Sequence, residues 1–156
     1  MTREELLGTL RATPGRMTDL ARGLSPDQLT RRPKEGEWSM AEILDHLLLG
    51  ERDVILPRLK RMLLEDGPAF RSSASTRTGF ASDPQPQAFL ADLAAFQWIR
   101  QQTLAFLETL KDRDWQRMGN TPTRGTLTIE AYARYLAEHD LEHLAQLEAT
   151  RALVEC

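Results

Sequence analysis

The three histidines are the residues of this sequence whose type and spacing point most directly to chemistry. Two of them, His139 and His143, are four residues apart in a segment with helical periodicity. Residues at this spacing share a helix face, so the two imidazoles can point at one metal ion. The third, His46, lies in another apolar helical segment. Three imidazole ligands with open coordination positions are typical of catalytic rather than structural metal sites.

The same histidines also have an ordinary structural explanation, in which His46 is satisfied in a core and the pair lies at a helix surface. The spacing alone leaves both explanations open. His139 and His143 also fit the H-x-x-E-H pattern of inverted zinc peptidases. We reject that interpretation, because those enzymes need a further ligand well downstream on a larger fold, and only a short segment follows His143.

A helical wheel centred on the histidine pair places Tyr132 near the centre, with Gln146 and Tyr135 close by. Gln146 and Tyr132 are therefore candidates for lining a pocket, although both tyrosines could equally be core residues with satisfied hydroxyls. Glu142 is oblique, which makes it a candidate hydrogen-bond partner of a ligand imidazole rather than a ligand. Asp140 is expected to point away from the site.

The composition is that of an ordinary globular protein and excludes several classes. The 156 residues fit a single domain, 1–156, with 41% hydrophobic and 28% charged residues. A net charge of −3 provides no basic surface for nucleic acid. Apolar runs are too short to span a membrane, and the N-terminal residues do not resemble a signal peptide, so we expect a cytoplasmic protein. The one cysteine, Cys156, excludes an internal disulfide.

The apolar periodicity predicts an all-α four-helix bundle with long connections. The predicted helices cover Thr2 to Gly23, Ser39 to Glu65, Pro86 to Leu110 and Thr126 to Val154, and a short helix begins at Ser25. Pro14 should kink or break the first helix, and Pro57 should bend the second. Trp98 and Arg100 lie off the apolar stripe of the third helix. We expect no strand of useful length.

Several residues of the second helix are expected to lie on the same face as His46. Glu42, Gly50 and Asp53 should all point within about 40° of His46 on an α-helix. Gly50 leaves room either for a ligand or for close helix approach, of which the second is the more ordinary. Glu42 is committed to a capping box with Ser39, so it is not expected to act as a general base.

The segment Asp66 to Asp83 is predicted to be a long loop. A loop of this length in a compact domain is usually either functional or disordered, so it could cover a site or simply be mobile. Arg71 and Arg77 could contact an anionic substrate, although exposed arginines are common.

Four stretches in combination resemble the DinB-like (DinB/YfiT-like) superfamily of metal-binding four-helix bundles. They are Leu24-Ser25-Pro26-Asp27-Gln28-Leu29, Glu37-Trp38-Ser39-Met40-Ala41-Glu42-Ile43-Leu44-Asp45-His46-Leu47, Gly125-Thr126-Leu127-Thr128 and Ala137-Glu138-His139-Asp140-Leu141-Glu142-His143-Leu144-Ala145-Gln146-Leu147. The resemblance covers nearly the whole chain. It implies an up-down-down-up bundle, often dimeric, with a divalent metal held by His46, His139 and His143. Related members include hydrolase-like proteins and transferases or isomerases that use low-molecular-weight thiols.

The leading hypothesis is a metal-dependent hydrolase or thiol-dependent transferase that acts on a small electrophilic substrate. A divalent cation lowers the pKa of a bound water or thiol and so creates a nucleophile near neutral pH. Imidazole ligands suit Zn, Ni, Fe, Mn or Co, and the sequence does not choose among them. The alternative is a non-catalytic, stress-associated metal-binding bundle that acts through a partner or as a homodimer.

Overall fold

A computed structural model of the protein describes residues 1–72 and 86–155. The helices in chain order are α1 (Arg3–Ala21), α2 (Pro26–Thr30), α3 (Met40–Gly50), a π-helical turn (Glu51–Ile55), α4 (Leu56–Leu64), α5 (Pro86–Glu108), α6 (Asp112–Trp115) and α7 (Ile129–Val154). Strands β1 (Met118–Thr121) and β2 (Gly125–Thr128) lie between α6 and α7. No helix in the described ranges is both long and apolar enough to cross a membrane.

Local capping residues determine where the helices begin. Ser39 Oγ accepts a hydrogen bond from the Glu42 backbone N–H at 3.1 Å, and Glu42 Oε1 accepts one from the Ser39 N–H at 3.2 Å. This reciprocal capping box satisfies two backbone donors that the first turn leaves free. Thr2 and Ser25 form equivalent boxes at the starts of α1 and α2. The capping box at Ser39 and the N-cap at Ser25, both predicted from the sequence, are confirmed.

Pro14 does not break the first helix, which continues without interruption from Arg3 to Ala21. A proline has no backbone N–H, so the carbonyl four residues earlier, that of Leu10, loses its helical partner. The Arg100 guanidinium supplies a replacement, because its Nη1 donates to the Leu10 carbonyl at 2.9 Å. The helix is therefore completed at this point by a side chain from α5.

α1 and α7 are parallel neighbours. Thr13 bonds to Asp140 and, further along both helices, Arg16 bonds to Glu148. Such pairs advance in the same direction along the two helices only when the helices are parallel. The first and the last long helix of the bundle therefore run in the same direction.

α3 and α5 run parallel to each other and antiparallel to α1, so the order is up-down-down-up. The pairs that show this are Arg11 with Glu108, Thr18 with Gln97, Asp45 with Asp92 and Glu51 with Arg100. Along α1 and α5 the partners' numbers run in opposite directions, whereas along α3 and α5 they rise together. The predicted bundle is confirmed, including the direction of its helices.

A small β-hairpin corrects the prediction that the chain has no strand. β1 and β2 pair antiparallel with Met118 opposite Thr128. The last helix therefore begins at Ile129, after the predicted Thr126 to Thr128 stretch, and its cap is Thr128, whose Oγ1 accepts from the Ala131 N–H at 3.0 Å. Gly125 closes the turn with a φ of +68°, a conformation that favours glycine. Four-residue strands are too short for a recognisable alternation in sequence.

A buried polar layer divides the core into two apolar clusters. Each of the four long helices contributes to this layer at the same level: Thr13 from α1, Glu51 from the π-helical turn after α3, Arg100 and Thr103 from α5, and Asp140 from α7. One cluster includes Met17, Leu44, Phe96 and Leu144. The other includes Leu10, Leu59, Leu107 and Leu136. The histidines lie beside this layer, since His139 immediately precedes Asp140.

Candidate metal centre

The three histidines converge between α3 and α7. One ring nitrogen from each of His46, His139 and His143 can be chosen so that all three lie within 4.8 Å of one another. His139 Nε2 and His143 Nε2 are 3.0 Å apart, and the His46 ring centroid is 5.3 Å from that of His143. His46 is thus brought next to two histidines from a distant part of the chain. If the three were ordinary core and surface residues, nothing would require them to meet.

Gln146 sets the orientation and the tautomer of His143. Its Oε1 lies 2.8 Å from His143 Nδ1, and since an amide oxygen can only accept, Nδ1 carries the hydrogen. In the neutral ring Nε2 then carries the lone pair, which faces His139. A neutral imidazole with a free lone pair is the form that binds a metal.

His139 has a ring nitrogen that the protein leaves unsatisfied. Its Nδ1 is buried and has no hydrogen-bond partner among the described residues. Burial, together with the neighbouring His143 and His46, lowers the pKa of His139 to about 4. Burial also lowers the pKa of His46. Both imidazoles are therefore neutral at physiological pH, and the donor set fits a divalent transition metal.

The start of α3 holds His46 in place. The Trp38 ring, just before the Ser39 cap, packs against the His46 ring with centroids 5.1 Å apart. Glu42 does not reach the histidines, because it is buried in the capping box and accepts two hydrogen bonds from Arg32, at 2.8 and 2.9 Å. Burial raises the pKa of Glu42, but the bonds from Arg32 and Ser39 outweigh it, so the pKa is lowered. Glu42 is thus a fixed anion of the cap.

A cavity of about 190 Å³ opens on one side of the histidines. Gly50 lines it, and a Cβ added there would meet no atom within 4 Å. The glycine therefore leaves room in a cavity and does not serve close helix approach, the explanation favoured from sequence. Tyr132 and Tyr135 also line the cavity. Tyr132 is buried, and its hydroxyl accepts from Arg58 Nη1 at 3.2 Å, while the Tyr135 ring lies 5.5 Å from that of His139.

The floor of this cavity is the polar layer, which sequence reasoning missed. Arg100, placed off the apolar stripe, is fully buried, with Nη2 2.7 Å from Glu51 Oε1 and Nη1 2.6 Å from Asp140 Oδ2. Thr103 and Thr13 donate to the same two carboxylates at 2.8 and 2.6 Å. Burial lowers the pKa of Arg100, but the two carboxylates outweigh it and the pKa is raised. Two charged residues in otherwise apolar helix faces, Glu51 and Asp140, were the available signal.

Two acidic residues near the site make no hydrogen bond to the histidines among the described contacts. Glu142, predicted as a candidate partner of a ligand imidazole, is exposed and makes no hydrogen bond or ion pair within the described ranges. The partner is Gln146 instead. Asp53, predicted to share the direction of His46, is partly exposed and pairs with Arg52 at 2.8 Å.

Of the arginines predicted as anion contacts, Arg71 lies outside this cavity. Its side chain is exposed, and its backbone carbonyl accepts from Arg58 Nη2 at 2.9 Å. Arg77 lies outside the described residues, as does most of the predicted loop from Asp66 to Asp83. Within the described part of that loop, Phe70 is buried and its N–H donates to the Asn120 carbonyl at 2.8 Å.

A second, wider opening reaches the histidines from the other side. This groove has a volume of about 530 Å³ and is lined by Trp38, His46, His143 and Gln146. His46 therefore faces both openings. The arrangement gives the centre one compact cavity inside the bundle and one open approach from the surface.

The fold and the site together define an all-α four-helix bundle with a three-histidine cluster in its interior. A family model described as the DinB superfamily matches residues 9–147, and the chain belongs to that superfamily. The resemblance drawn from the sequence motifs is thereby confirmed.

Individual relatives agree with this assignment. A Geobacillus kaustophilus protein named "Putative metal-dependent hydrolase" is 25% identical over 154 residues, covering 95% of this chain and 83% of that protein. YuaE of Bacillus subtilis is 24% identical over 147 residues, covering 86% and 90%. The structure of YfiT from Bacillus subtilis, described as a probable metal-dependent hydrolase with an unusual four-helix bundle topology, matches with a TM-score of 0.78 at 21% identity, covering 96% and 87%. The four-helix bundle protein TT2238 matches with a TM-score of 0.63 at 24% identity, covering 95% and 99%.

Proposed function

We propose that this protein is a divalent-metal-dependent hydrolase of a small molecule, with His46, His139 and His143 as the metal ligands. The observation that carries the proposal is the convergence of three imidazoles beside a cavity. The names of the relatives from Geobacillus kaustophilus and of YfiT support the same reaction class.

A divalent cation held by the three imidazoles would supply a nucleophile near neutral pH by lowering the pKa of a water molecule or a thiol. The chain's own residues hold and orient the centre. Gln146 keeps His143 in the tautomer with a free Nε2, and Trp38 packs against His46. Leu47, Val54 and Leu136 line the cavity and limit water in it.

No free carboxylate from the described residues lines the cavity to act as a general base. The two that line it, Glu51 and Asp140, are engaged by Arg100. This favours a reaction in which the cation provides most of the activation, as inferred from the sequence. It also predicts that removal of the metal abolishes activity rather than reducing it.

Transfer of a low-molecular-weight thiol is the second candidate, favoured by the two openings that meet at His46. The outer groove could hold the thiol compound while the inner cavity holds the electrophile. In that reaction the thiol sulfur forms the new bond and the leaving group departs with the proton. Hydrolysis differs only in that water takes the place of the thiol.

The test is an activity panel on untagged protein whose metal content has been measured. Ester, amide and thiol-transfer substrates are assayed after loading with Zn, Ni, Fe, Mn or Co, each with and without chelator. Turnover that requires metal and no thiol supports the hydrolase, and turnover that requires an added thiol supports the transferase. Stoichiometric metal with no turnover across the panel would favour the non-catalytic alternative.

A further inference from the structure

Two arginines of the inner cavity, Arg58 and Arg124, have no carboxylate partner among the described residues. Both line the cavity beside the histidines. Among the described residues, neither makes an ion pair, whereas Arg100 in the same cavity is bonded to two carboxylates. An arginine directed into a cavity without a carboxylate partner is available for a planar anion, since its donors match carboxylate and phosphate oxygens.

Neutral acceptors hold Arg58 in place. Nη1 donates to the Tyr132 hydroxyl at 3.2 Å and Nη2 donates to the Arg71 carbonyl at 2.9 Å. The side chain is half-buried. These bonds orient the guanidinium without neutralising it, and the remaining donors stay available.

The π-helical turn places Arg58 on the same side of its helix as His46. On an uninterrupted α-helix the directions of His46 and Arg58 would differ by about 120°. The turn at Glu51–Ile55 accommodates one extra residue and shifts the following helix by about 100°, so the difference falls to about 20°. Both side chains then line one cavity. π-Helical turns often occur at functional sites for this reason.

Arg124 enters from the hairpin on the opposite side. Its guanidinium carbon lies 3.5 Å from the centroid of the Tyr135 ring, which in turn packs on His139 at 5.5 Å. Thr121 Oγ1 accepts from the Arg124 backbone N–H at 3.1 Å and donates to the Gly125 carbonyl at 3.0 Å, which ties the turn together. The Arg124 side chain is exposed to solvent, but its guanidinium is stacked on a ring that contacts His139.

The charged residues that line the cavity favour the binding of an anion. Glu51 and Asp140 carry two negative charges, one of which Arg100 balances, so the layer offsets only one of the two positive charges of Arg58 and Arg124. A divalent cation at the histidines would add to the positive charge. The lining of the cavity is therefore left with an excess positive charge, which attracts an anionic ligand.

We propose that the inner cavity binds the carboxylate or phosphate group of the substrate through Arg58 and Arg124. The reaction at the adjacent centre rests on the proposed function, but the anion site does not depend on it. The volume of about 190 Å³ is below the roughly 300–1,000 Å³ of pockets for drug-sized ligands, so the substrate is a compact organic anion.

The test is calorimetric titration of the zinc-loaded full chain with butyrate, with inorganic phosphate and with neutral butyramide. Wild-type protein should bind one of the anions at least about tenfold more tightly than butyramide. Arg58→Gln and Arg124→Gln should each weaken that anion about tenfold or more, and Arg58→Lys should retain part of the affinity. Arg16→Gln, which removes a charge from an exposed ion pair on α1, is the matched control and should bind like wild type.

The outcomes separate the two proposals. Preference for butyrate assigns a carboxylate, and preference for phosphate assigns a phosphate group. Equal binding of butyramide, no anion binding by wild type, or unchanged affinity in either glutamine variant would overturn the anion site. Circular dichroism confirms that each variant is folded. Because this titration measures no turnover, it tests the anion site alone, and an absence of hydrolysis in the activity panel would count only against the proposed function.

Discussion

Arg100 on α5 completes the hydrogen bonding of Leu10 on α1, a backbone carbonyl that Pro14 leaves without its helical donor. The same guanidinium joins Glu51 and Asp140, so a single side chain links all the long helices at the level of the histidines. Since Asp140 directly follows His139, the network helps to fix the register of α7 against α3 and thus the position of the three imidazoles.

Arg100→Met should therefore destabilise the protein strongly. It leaves two carboxylates buried and without their charged partner, which costs about 3–5 kcal/mol in comparable sites. Urea unfolding of metal-free protein measures the free energy, with the exposed Arg16→Gln variant as a control that should change it by less than about 0.5 kcal/mol. A loss below about 1 kcal/mol for Arg100→Met would contradict the structural role assigned to the network.

The metal-free protein should lose stability as the pH falls from about 6.5 towards 4. The folded state holds the pKa of His139 at about 4, whereas an unfolded chain has an ordinary histidine pKa near 6.5. Between these values the unfolded state binds more protons, so the free energy of unfolding decreases with falling pH. Urea unfolding of protein freed of metal by a chelator, at pH 7.5 and 5.0, measures this decrease in the free energy of unfolding. His139→Gln should lose less between the two pH values than wild type, and an equal loss would show that His139 is not the cause.

Gly50→Ala should stabilise the fold while partly filling the cavity. Gly50 has a helical φ of −61°, and a Cβ there meets no atom within 4 Å, so alanine removes a flexible residue without a clash. The expected gain is about 0.5–1 kcal/mol in urea unfolding. The affinity for the anion that binds wild type should fall in the same variant. A stability loss would contradict the open space at Gly50, and unchanged affinity would place the ligand elsewhere.

Gln146→Ala should weaken metal binding by about 10–100-fold, because His143 loses the acceptor that fixes its tautomer. Competition with a metallochromic chelator measures the affinity. Glu142→Ala is a close control on the same helix, and its exposed side chain has no bond to an imidazole among the described contacts. If Glu142→Ala weakened binding as much as Gln146→Ala, the assignment of the tautomer to Gln146 would be wrong.

The helices and their caps could be predicted from sequence because local patterns determine them. The Ser39 capping box and the apolar periodicity act within a few residues, so they can be interpreted without the rest of the fold. The hairpin could not, since its strands have only four residues each and are stabilised by pairing with each other and with Ala69. The π-helical turn has no sequence signature, and without it Arg58 is assigned to the wrong side of its helix.

The histidine cluster could be anticipated because residue type and spacing limited the choices to three side chains. The remaining parts of the site depend on partners from other elements. Arg100 is buried not because it is apolar but because α3, α1 and α7 provide acceptors at the same level. Arg124 reaches the cavity only through the hairpin turn. Predictions from single helices could not include these contacts, which is why the anion site emerged only from the structure.

Metal analysis of untagged wild-type protein beside His46→Ala tests the three-histidine centre most directly, since His46 is the proposed ligand from α3 and the other two lie on α7. The proposal predicts about one divalent ion per wild-type chain and its loss in His46→Ala with helical circular dichroism retained. Stoichiometric metal in folded His46→Ala, or wild type that takes up no divalent metal after loading, would contradict it.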